Sequence, residues 1–99
     1  MLVHSVFFWL KDELSEEQTE AFREGLDSLA GIPTVEALYV GTPASTPPRP
    51  VVDASYTFGI TVLLQGMPAH DAYQEDPLHQ AFLEHFADYW HKVLIYDIA

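Results

Sequence analysis

The segment at residues 2–10 has the β-branched and aromatic composition of a strand, and it is rich in large apolar side chains on both faces of that strand. Successive side chains in a strand alternate between the two faces of a sheet. One face would carry His4, Val6, Phe8 and Leu10, and the other Val3, Ser5, Phe7 and Trp9. Helices can cover only one of these faces. The pattern therefore predicts that a second sheet, from another copy of the chain, covers the other.

Punctuation residues divide the rest of the chain into six further elements. Ser15 and Gln18 have the spacing of a capping box, and four prolines mark residues 42–53 as a surface loop. The predicted elements after the first strand are a helix at 15–30, strands at 35–41 and 55–64, a short helical piece at 68–73, a helix at 77–90 and a strand at 92–98. The order βαββαβ predicts one α+β domain, residues 1–99, with both main helices on one face of a four-stranded sheet.

Composition supports self-association and excludes several partners. In 99 residues, 48% are hydrophobic and 13% aromatic, which is more apolar material than a small monomer easily buries. Two such sheets packed face to face would form a dimeric α/β barrel. Fifteen acidic against four basic residues give a net charge of −11, so nucleic acid and anionic membrane surfaces are poor partners.

The chain shows no feature of export or of redox chemistry. It contains no cysteine, which excludes disulfides and thiol nucleophiles. The first apolar segment ends at Lys11, has no basic region before it and is too short to span a bilayer. We therefore expect a cytoplasmic protein.

The helix at 77–90 carries a histidine where core residues are expected. At 100° per residue its apolar side chains fall on one arc, with His79 at the centre and Gln80, Glu84 and Asp88 outside it. The arc consists of Phe82, Leu83, Phe86, Ala87, Tyr89 and Trp90. His79 should therefore point inward, beside Tyr73.

Two interpretations of this histidine remain open. It is a catalytic group, or it hydrogen-bonds Tyr73 or a backbone carbonyl as a satisfied polar pair of the core. The remaining histidines, His70, His85 and His91, are predicted to be surface groups.

A metal site has little support in the sequence. Asp76 and His79 are three residues apart and could share an ion with His4 or Glu75, but no His-x-x-x-His spacing occurs. Asp76 precedes Pro77, as the N-cap residue of a helix typically does. We predict no metal and no cofactor.

Several short segments, in order along the chain, match a known family. They are His4-Ser-Val-Phe-Phe-Trp-Leu-Lys11, Ile32-Pro-Thr-Val35 leading to Tyr39-Val-Gly41, Tyr73 with Asp76-Pro-Leu-His79 and Phe82, and Val93-Leu-Ile-Tyr-Asp97. Together they resemble the stress-responsive dimeric α/β-barrel (Dabb) family. The resemblance implies a ferredoxin-like βαββαβ fold with a four-stranded antiparallel sheet that forms a homodimer through its sheets.

The resemblance also implies a site between sheet and helices. A plant member is a polyketide cyclase, and the histidines and tyrosine of its pocket match His4, Tyr73 and His79 here. Val6, Phe8, Phe22, Leu26 and Phe82 are then expected to line the ligand pocket. The chain departs from the family at Asp76, where histidine is frequent, and at Leu26, where a tyrosine is sometimes found, so the cyclase substrate is not carried over.

Three functions remain. The first is a cofactor-independent enzyme, a cyclase, isomerase or decarboxylase, acting on a small apolar oxygenated molecule with His79 as general base and Tyr73 as hydrogen-bond partner. The second is a non-catalytic stress-protection or ligand-binding dimer. The third is a cofactor-free monooxygenase of the same superfold. A cavity that reaches both Tyr73 and His79 would favour the first or third, and a filled interface would favour the second.

Overall fold

The computed structural model describes residues 1–99 and has the strand and helix order expected from the sequence. The elements are β1 (Leu2–Leu10), α1 (Glu16–Ser28), β2 (Ala37–Gly41), β3 (Phe58–Leu64), α2 (Met67–Glu75), α3 (Pro77–Phe86) and β4 (Trp90–Ile98). Single 3₁₀ turns follow α1 at Leu29–Gly31 and α3 at Ala87–Tyr89. None of these helices has the length and apolar character that crossing a bilayer requires.

The four strands form one antiparallel sheet in the order β2-β3-β1-β4. The two longest pairings both involve β1, which lies between β3 and β4. His4 stands directly opposite Val62 on one side and Asp97 on the other. This arrangement confirms the ferredoxin-like α+β fold and brings the two ends of the described chain together in neighbouring strands.

The core lies between the sheet and the helices. Every second side chain of β1 is buried, from Leu2 to Leu10, and β3 follows the same alternation from Phe58 to Leu64. The helices contribute the remaining large core side chains, among them Phe22, Leu26, Phe82 and Phe86. Complete burial of one such side chain stabilises the fold by about 1.5–3 kcal/mol. This face of the sheet is therefore the one that the helices cover.

Side chains cap both main helices as the sequence predicted. The Ser15 hydroxyl accepts the Gln18 amide at 3.1 Å, and the Gln18 side chain accepts the Ser15 amide at 2.9 Å. At the start of α3 the Asp76 carboxylate accepts the Leu78 amide at 2.9 Å, with Pro77 in the first helical position. These bonds satisfy amides that have no partner inside the helix.

The predicted helix at 77–90 is too long. The α-helix ends at Phe86, and Trp90 is the first residue of β4, where it pairs with Leu10. The Trp90 ring packs against Phe8 with ring centroids 5.1 Å apart. Trp90 thus packs against the core as the helical periodicity predicted, but it does so from a strand. Two residues of the predicted arc, Leu83 and Ala87, are exposed.

The other boundaries shift by a few residues where turns replace the ends of strands. The strand predicted at 35–41 begins at Ala37, because the Val35 amide bonds to the Ile32 carbonyl in a turn. The strand predicted at 55–64 begins at Phe58, because Ser55 bonds to the Asp53 carboxylate. The short helix is longer than predicted and extends over Met67–Glu75.

The second face of the sheet carries apolar side chains that stay partly exposed in the single chain. Tyr96 is 55% exposed and Leu94 37%. Together with Phe7, Trp9 and Tyr56 they line a shallow depression that also includes Asp53. We call this surface, Phe7, Trp9, Tyr56, Leu94 and Tyr96, the open face. It is the apolar second face that the sequence of β1 predicted.

Candidate functional site

A cavity of about 170 Å³ lies between the sheet and the helices. Eleven of its fourteen lining residues are hydrophobic, and the other three are His4, Gln74 and His79. An apolar cavity of about 150 Å³ is known to bind benzene. The cavity therefore has the size of a single six-membered ring with few substituents.

Four of the five wall residues expected from the sequence line this cavity. They are Val6, Phe8, Leu26 and Phe82. Phe22 does not reach it, since its fully buried ring lies behind those of Phe8 and Phe82, at centroid distances of 5.2 and 5.6 Å. The sequence did not indicate Gln74 or Trp90 as wall residues, because both sit near element ends that it placed inaccurately.

His79 and Tyr73 meet at the cavity wall. His79 lies in the first turn of α3 and Tyr73 in the last turn of α2, with ring centroids 5.0 Å apart at an interplanar angle of 66°. The two rings lie close together because the Asp76–Pro77 junction joins the two helices directly. Nδ1 of His79 is buried and has no hydrogen-bond partner within the protein. The core-pair interpretation required such a partner, and at this nitrogen it is missing.

Burial sets the protonation states of these two groups. Desolvation lowers the pKa of His79, the nearby His4 and His70 lower it further, and Asp76 acts in the opposite direction. Burial also raises the pKa of Tyr73 to about 12. At neutral pH the cavity therefore presents a neutral imidazole and a protonated phenol.

His4 forms the end of the cavity beside Tyr73. It is only 3% exposed, and its ring contacts the Tyr73 ring edge-on at a centroid distance of 5.6 Å. Its Nδ1 lies 2.5 Å from Oδ1 of Asp97, the residue directly opposite on β4. A carboxylate only accepts, so Nδ1 of His4 is the donor. The three residues expected to be catalytic, His4, Tyr73 and His79, thus follow one another along one wall.

The expectation that His70 is a surface group is wrong. Its side chain is 16% exposed and packs edge-on against His4 at a centroid distance of 5.3 Å. Nε2 of His70 lies 3.9 Å from Oδ2 of Asp97, and Nδ1 lies 3.1 Å from Asp71. Helix α2 directs the His70 side chain toward β1. The hydrophobic periodicity of a helix of nine residues is too weak to predict this orientation. His85 and His91 are exposed, as expected.

Asp97 was not identified from the sequence as a site residue. The sequence contained one indication of its inward position, because Asp97 continues the apolar face formed by Val93 and Ile95 of the last strand. The ligand atoms of His4, His70 and Asp97 all lie within 4.8 Å of one another. This group differs from the one that the sequence suggested around Asp76 and His79.

Comparisons with known proteins agree with the fold. The profile of the stress-responsive A/B barrel domain, Dabb, matches residues 2–99. Among characterised proteins, the chain is similar to olivetolic acid cyclase of Cannabis sativa, with 26% identity over 95 residues that cover 95% of this chain and 91% of the cyclase.

Two solved structures show the same fold at lower identity. A dimeric ferredoxin-like protein of unknown function from Thermobifida fusca has a TM-score of 0.80 at 24% identity, covering 99% of this chain and 89% of that one. A hydroxynitrile lyase from Passiflora edulis has a TM-score of 0.80 at 18% identity, covering 98% and 90%. These likenesses establish the fold alone.

Proposed function

Because the chain belongs to the stress-responsive A/B barrel domain family, Dabb, we propose that its cavity binds a small apolar oxygenated molecule and transforms it by acid–base chemistry. His79 is the general base and Tyr73 the hydrogen-bond donor. The characterised relative named above is a cyclase. The proposal for this chain nevertheless rests on its own cavity and not on that substrate.

The observation that carries the proposal is the unpartnered Nδ1 of His79 at an apolar cavity wall. A buried polar atom without a partner costs about 1–3 kcal/mol, so a fold that retains one commonly uses it. A bound molecule with a donor group would satisfy it. A neutral imidazole in this position can also accept a proton from that molecule.

The chemistry follows from where the two side chains lie. His79 takes a proton from an acidic C–H next to a carbonyl, or from a hydroxyl, and the electron pair moves onto the substrate oxygen. The Tyr73 phenol donates a hydrogen bond to this developing oxyanion, and the apolar walls keep water from weakening the interaction. A positioned general base of this kind contributes about 10²–10⁴-fold to a rate.

The size of the cavity limits the substrate. About 170 Å³ accommodates one ring with short substituents and excludes an extended chain unless the walls move. Leu26 makes the wall toward α1 apolar, so polar recognition is confined to His4, Tyr73, Gln74 and His79. A single-ring phenol or β-keto compound fits these conditions.

We also propose that a second copy of the chain covers the open face. The exposed aromatic and aliphatic side chains of that face support this, because a monomer rarely exposes a contiguous apolar patch of this kind. The similar protein from Thermobifida fusca is described as dimeric. The cavity lies on the opposite side of the sheet, so each copy would hold a complete one.

Proton exchange tests the chemistry without knowledge of the full reaction. A panel of single-ring β-keto and phenolic compounds is incubated with the protein in D₂O, and exchange at the acidic carbon is followed by NMR. We expect His79→Gln to lower the exchange rate by about 10²-fold or more, and Tyr73→Phe to lower it less. His85→Gln, at an exposed position, is the matched control.

The remaining functions give different results in the same experiment. Compounds that shift the His79 ring signals without any exchange would indicate a binding protein. Oxygen consumption with an aromatic compound would indicate a monooxygenase. Exchange that is equally fast in wild type and His79→Gln would contradict the proposed base.

A further inference from the structure

We propose that His4, His70 and Asp97 form a binding site for a first-row divalent transition metal ion of the Zn²⁺ or Co²⁺ type. The site lies at the end of the cavity where β4, the edge strand, meets α2. It goes beyond the proposed acid–base chemistry, which needs no metal. Two imidazoles and one carboxylate are a donor set found in metal sites that keep a coordination position open.

The three side chains come from separate elements and converge on one point. His4 extends from β1, Asp97 from the opposite position of β4, and His70 from α2. Their ligand atoms all lie within 4.8 Å of one another. Because His4 is buried and His70 is nearly so, neither imidazole belongs to the mobile surface groups that bring charged atoms together by chance.

A second carboxylate orients His70 toward the group. Asp71 lies 3.1 Å from Nδ1 of His70, and since a carboxylate only accepts, Nδ1 carries the hydrogen. Nε2 is thereby directed toward Oδ2 of Asp97, 3.9 Å away and beyond hydrogen-bond length. A carboxylate that holds the far nitrogen of a histidine is the usual support of a metal ligand.

The three ligand atoms must rearrange to admit an ion. Ligands at about 2.0–2.2 Å from a tetrahedral metal are about 3.3 Å apart. The His4–Asp97 contact of 2.5 Å would lengthen and the His70–Asp97 separation of 3.9 Å would shorten, each by less than about 1 Å, and the widest separation in the group, within 4.8 Å, would shorten by up to about 1.5 Å. Asp97 can move because its side chain is 41% exposed, and this exposure also gives the ion a way in.

The donor set selects the class of ion. Imidazole nitrogen suits Zn²⁺, Co²⁺, Ni²⁺ and Fe²⁺, whereas Mg²⁺ and Ca²⁺ prefer oxygen alone. The ion would take the position of the hydrogen between His4 and Asp97, and the neutral His4 ring would then carry its hydrogen on Nε2. The net charge of −11 attracts cations to the whole surface, and therefore the experiment must separate this site from general attraction.

Cobalt titration of the full chain tests the site. We expect wild type to bind one Co²⁺ per chain, with a visible absorption band of low-symmetry coordination, and Zn²⁺ to displace it. His70→Ala should weaken binding at least about tenfold, and Asp71→Asn by about 10–100-fold. His85→Ala, which removes an exposed imidazole outside the group, should bind as wild type does. His70 is chosen because its loss leaves the His4–Asp97 pair intact, and circular dichroism verifies the fold of each variant.

The titration contains no substrate, so its failure leaves the acid–base proposal untouched. Absence of saturable Co²⁺ and Zn²⁺ binding to folded wild type would overturn the metal site. Equal weakening by His70→Ala and His85→Ala would also overturn it, since this would show scattered surface binding. Mg²⁺ competing as well as Zn²⁺ would show attraction to charge alone and would have the same consequence.

Discussion

His79 holds an uncharged imidazole against an apolar wall at a pH where an exposed histidine is partly protonated. Burial is the main reason, and the two neighbouring imidazoles add to it. The groups that act on its charge are His4 of β1, which also lines the cavity, His70 of α2 and Asp76, the N-cap of its own helix. Of these, only Asp76 favours the charged form. The same environment that makes His79 a base therefore makes its protonation costly to the fold.

We predict that His79 makes the folded state less stable in acid. Its folded pKa lies below the ordinary value of about 6.5, so below that pH the unfolded chain binds more protons than the folded one. The free energy of unfolding should fall with pH from about 6.5 downward, and His79→Gln should remove this part of the dependence. Urea unfolding of both proteins between about pH 5 and 8 measures the difference. A difference that stays constant over this range, or that is matched by His85→Gln, would contradict the prediction.

The sequence predicted half of the residues that meet at the cavity. The inward position of His79, beside Tyr73, follows from local periodicity, and His4 came from the resemblance to a known family. The positions of Asp97 and His70 at the site do not follow from local periodicity. His4 and Asp97 are 93 positions apart and meet only through the register of β1 and β4. Local patterns contain no information on register between distant strands.

Helix α1 and helix α3 approach each other closely at one glycine. A Cβ atom at Gly25 would overlap the Phe86 ring, which is 8% exposed and confined by its neighbours. The glycine lowers helix propensity by about 1 kcal/mol relative to alanine, yet it permits the contact. Leu26 of α1 and Phe82 of α3 both line the cavity, so the spacing of the two helices affects its shape.

We predict that Gly25→Ala destabilises the protein despite its better helix propensity. Forcing a methyl group into the packed Phe86 ring costs about 1–3 kcal/mol, which offsets or exceeds the gain of about 1 kcal/mol. Chemical unfolding of the two proteins gives the difference. Adding Phe86→Leu should restore part of the lost stability, and an alanine variant more stable than wild type would show that the ring moves freely.

The residues that cap the helices could be predicted from the sequence, but the residue at which α3 ends could not. The capping box of Ser15 and the Asp76 cap depend on neighbours within three residues, so the sequence contains all that is needed. The end of α3 depends on Trp90, which continues the helical pattern but lies in the sheet against Phe8. Only packing between distant elements distinguishes these two outcomes.

The whole molecule has two different faces on one sheet. The helices cover the face that carries the cavity, and the open face presents aromatic side chains without a cover in the single chain. A stable interface buries about 1,200–2,000 Å² in total. The strands of two copies packed on each other can supply such an area, which is why the dimer is expected to form through this face.

We predict that Tyr96→Glu converts the dimer to a monomer. Tyr96 lies in the open face, beside Phe7, and a carboxylate there would be buried without a partner on association. Sedimentation equilibrium should give twice the chain mass for wild type and one chain mass for the variant. Met67→Glu, an equally exposed position at the start of α2, should remain dimeric. A monomeric wild type at micromolar concentration would contradict the prediction.

The pairing of β1 with β4 also governs when the cavity is complete during folding. His4 is near the first residue of the described chain and Asp97 near the last, so their contact closes a loop of more than ninety residues. Contacts this distant in sequence slow folding, because chain entropy is lost before they form. On a ribosome, β1 and α1 would emerge long before β4 could dock. The cavity would therefore gain the wall formed by β4, and the Asp97 carboxylate beside His4, only after the rest of the domain had been synthesised.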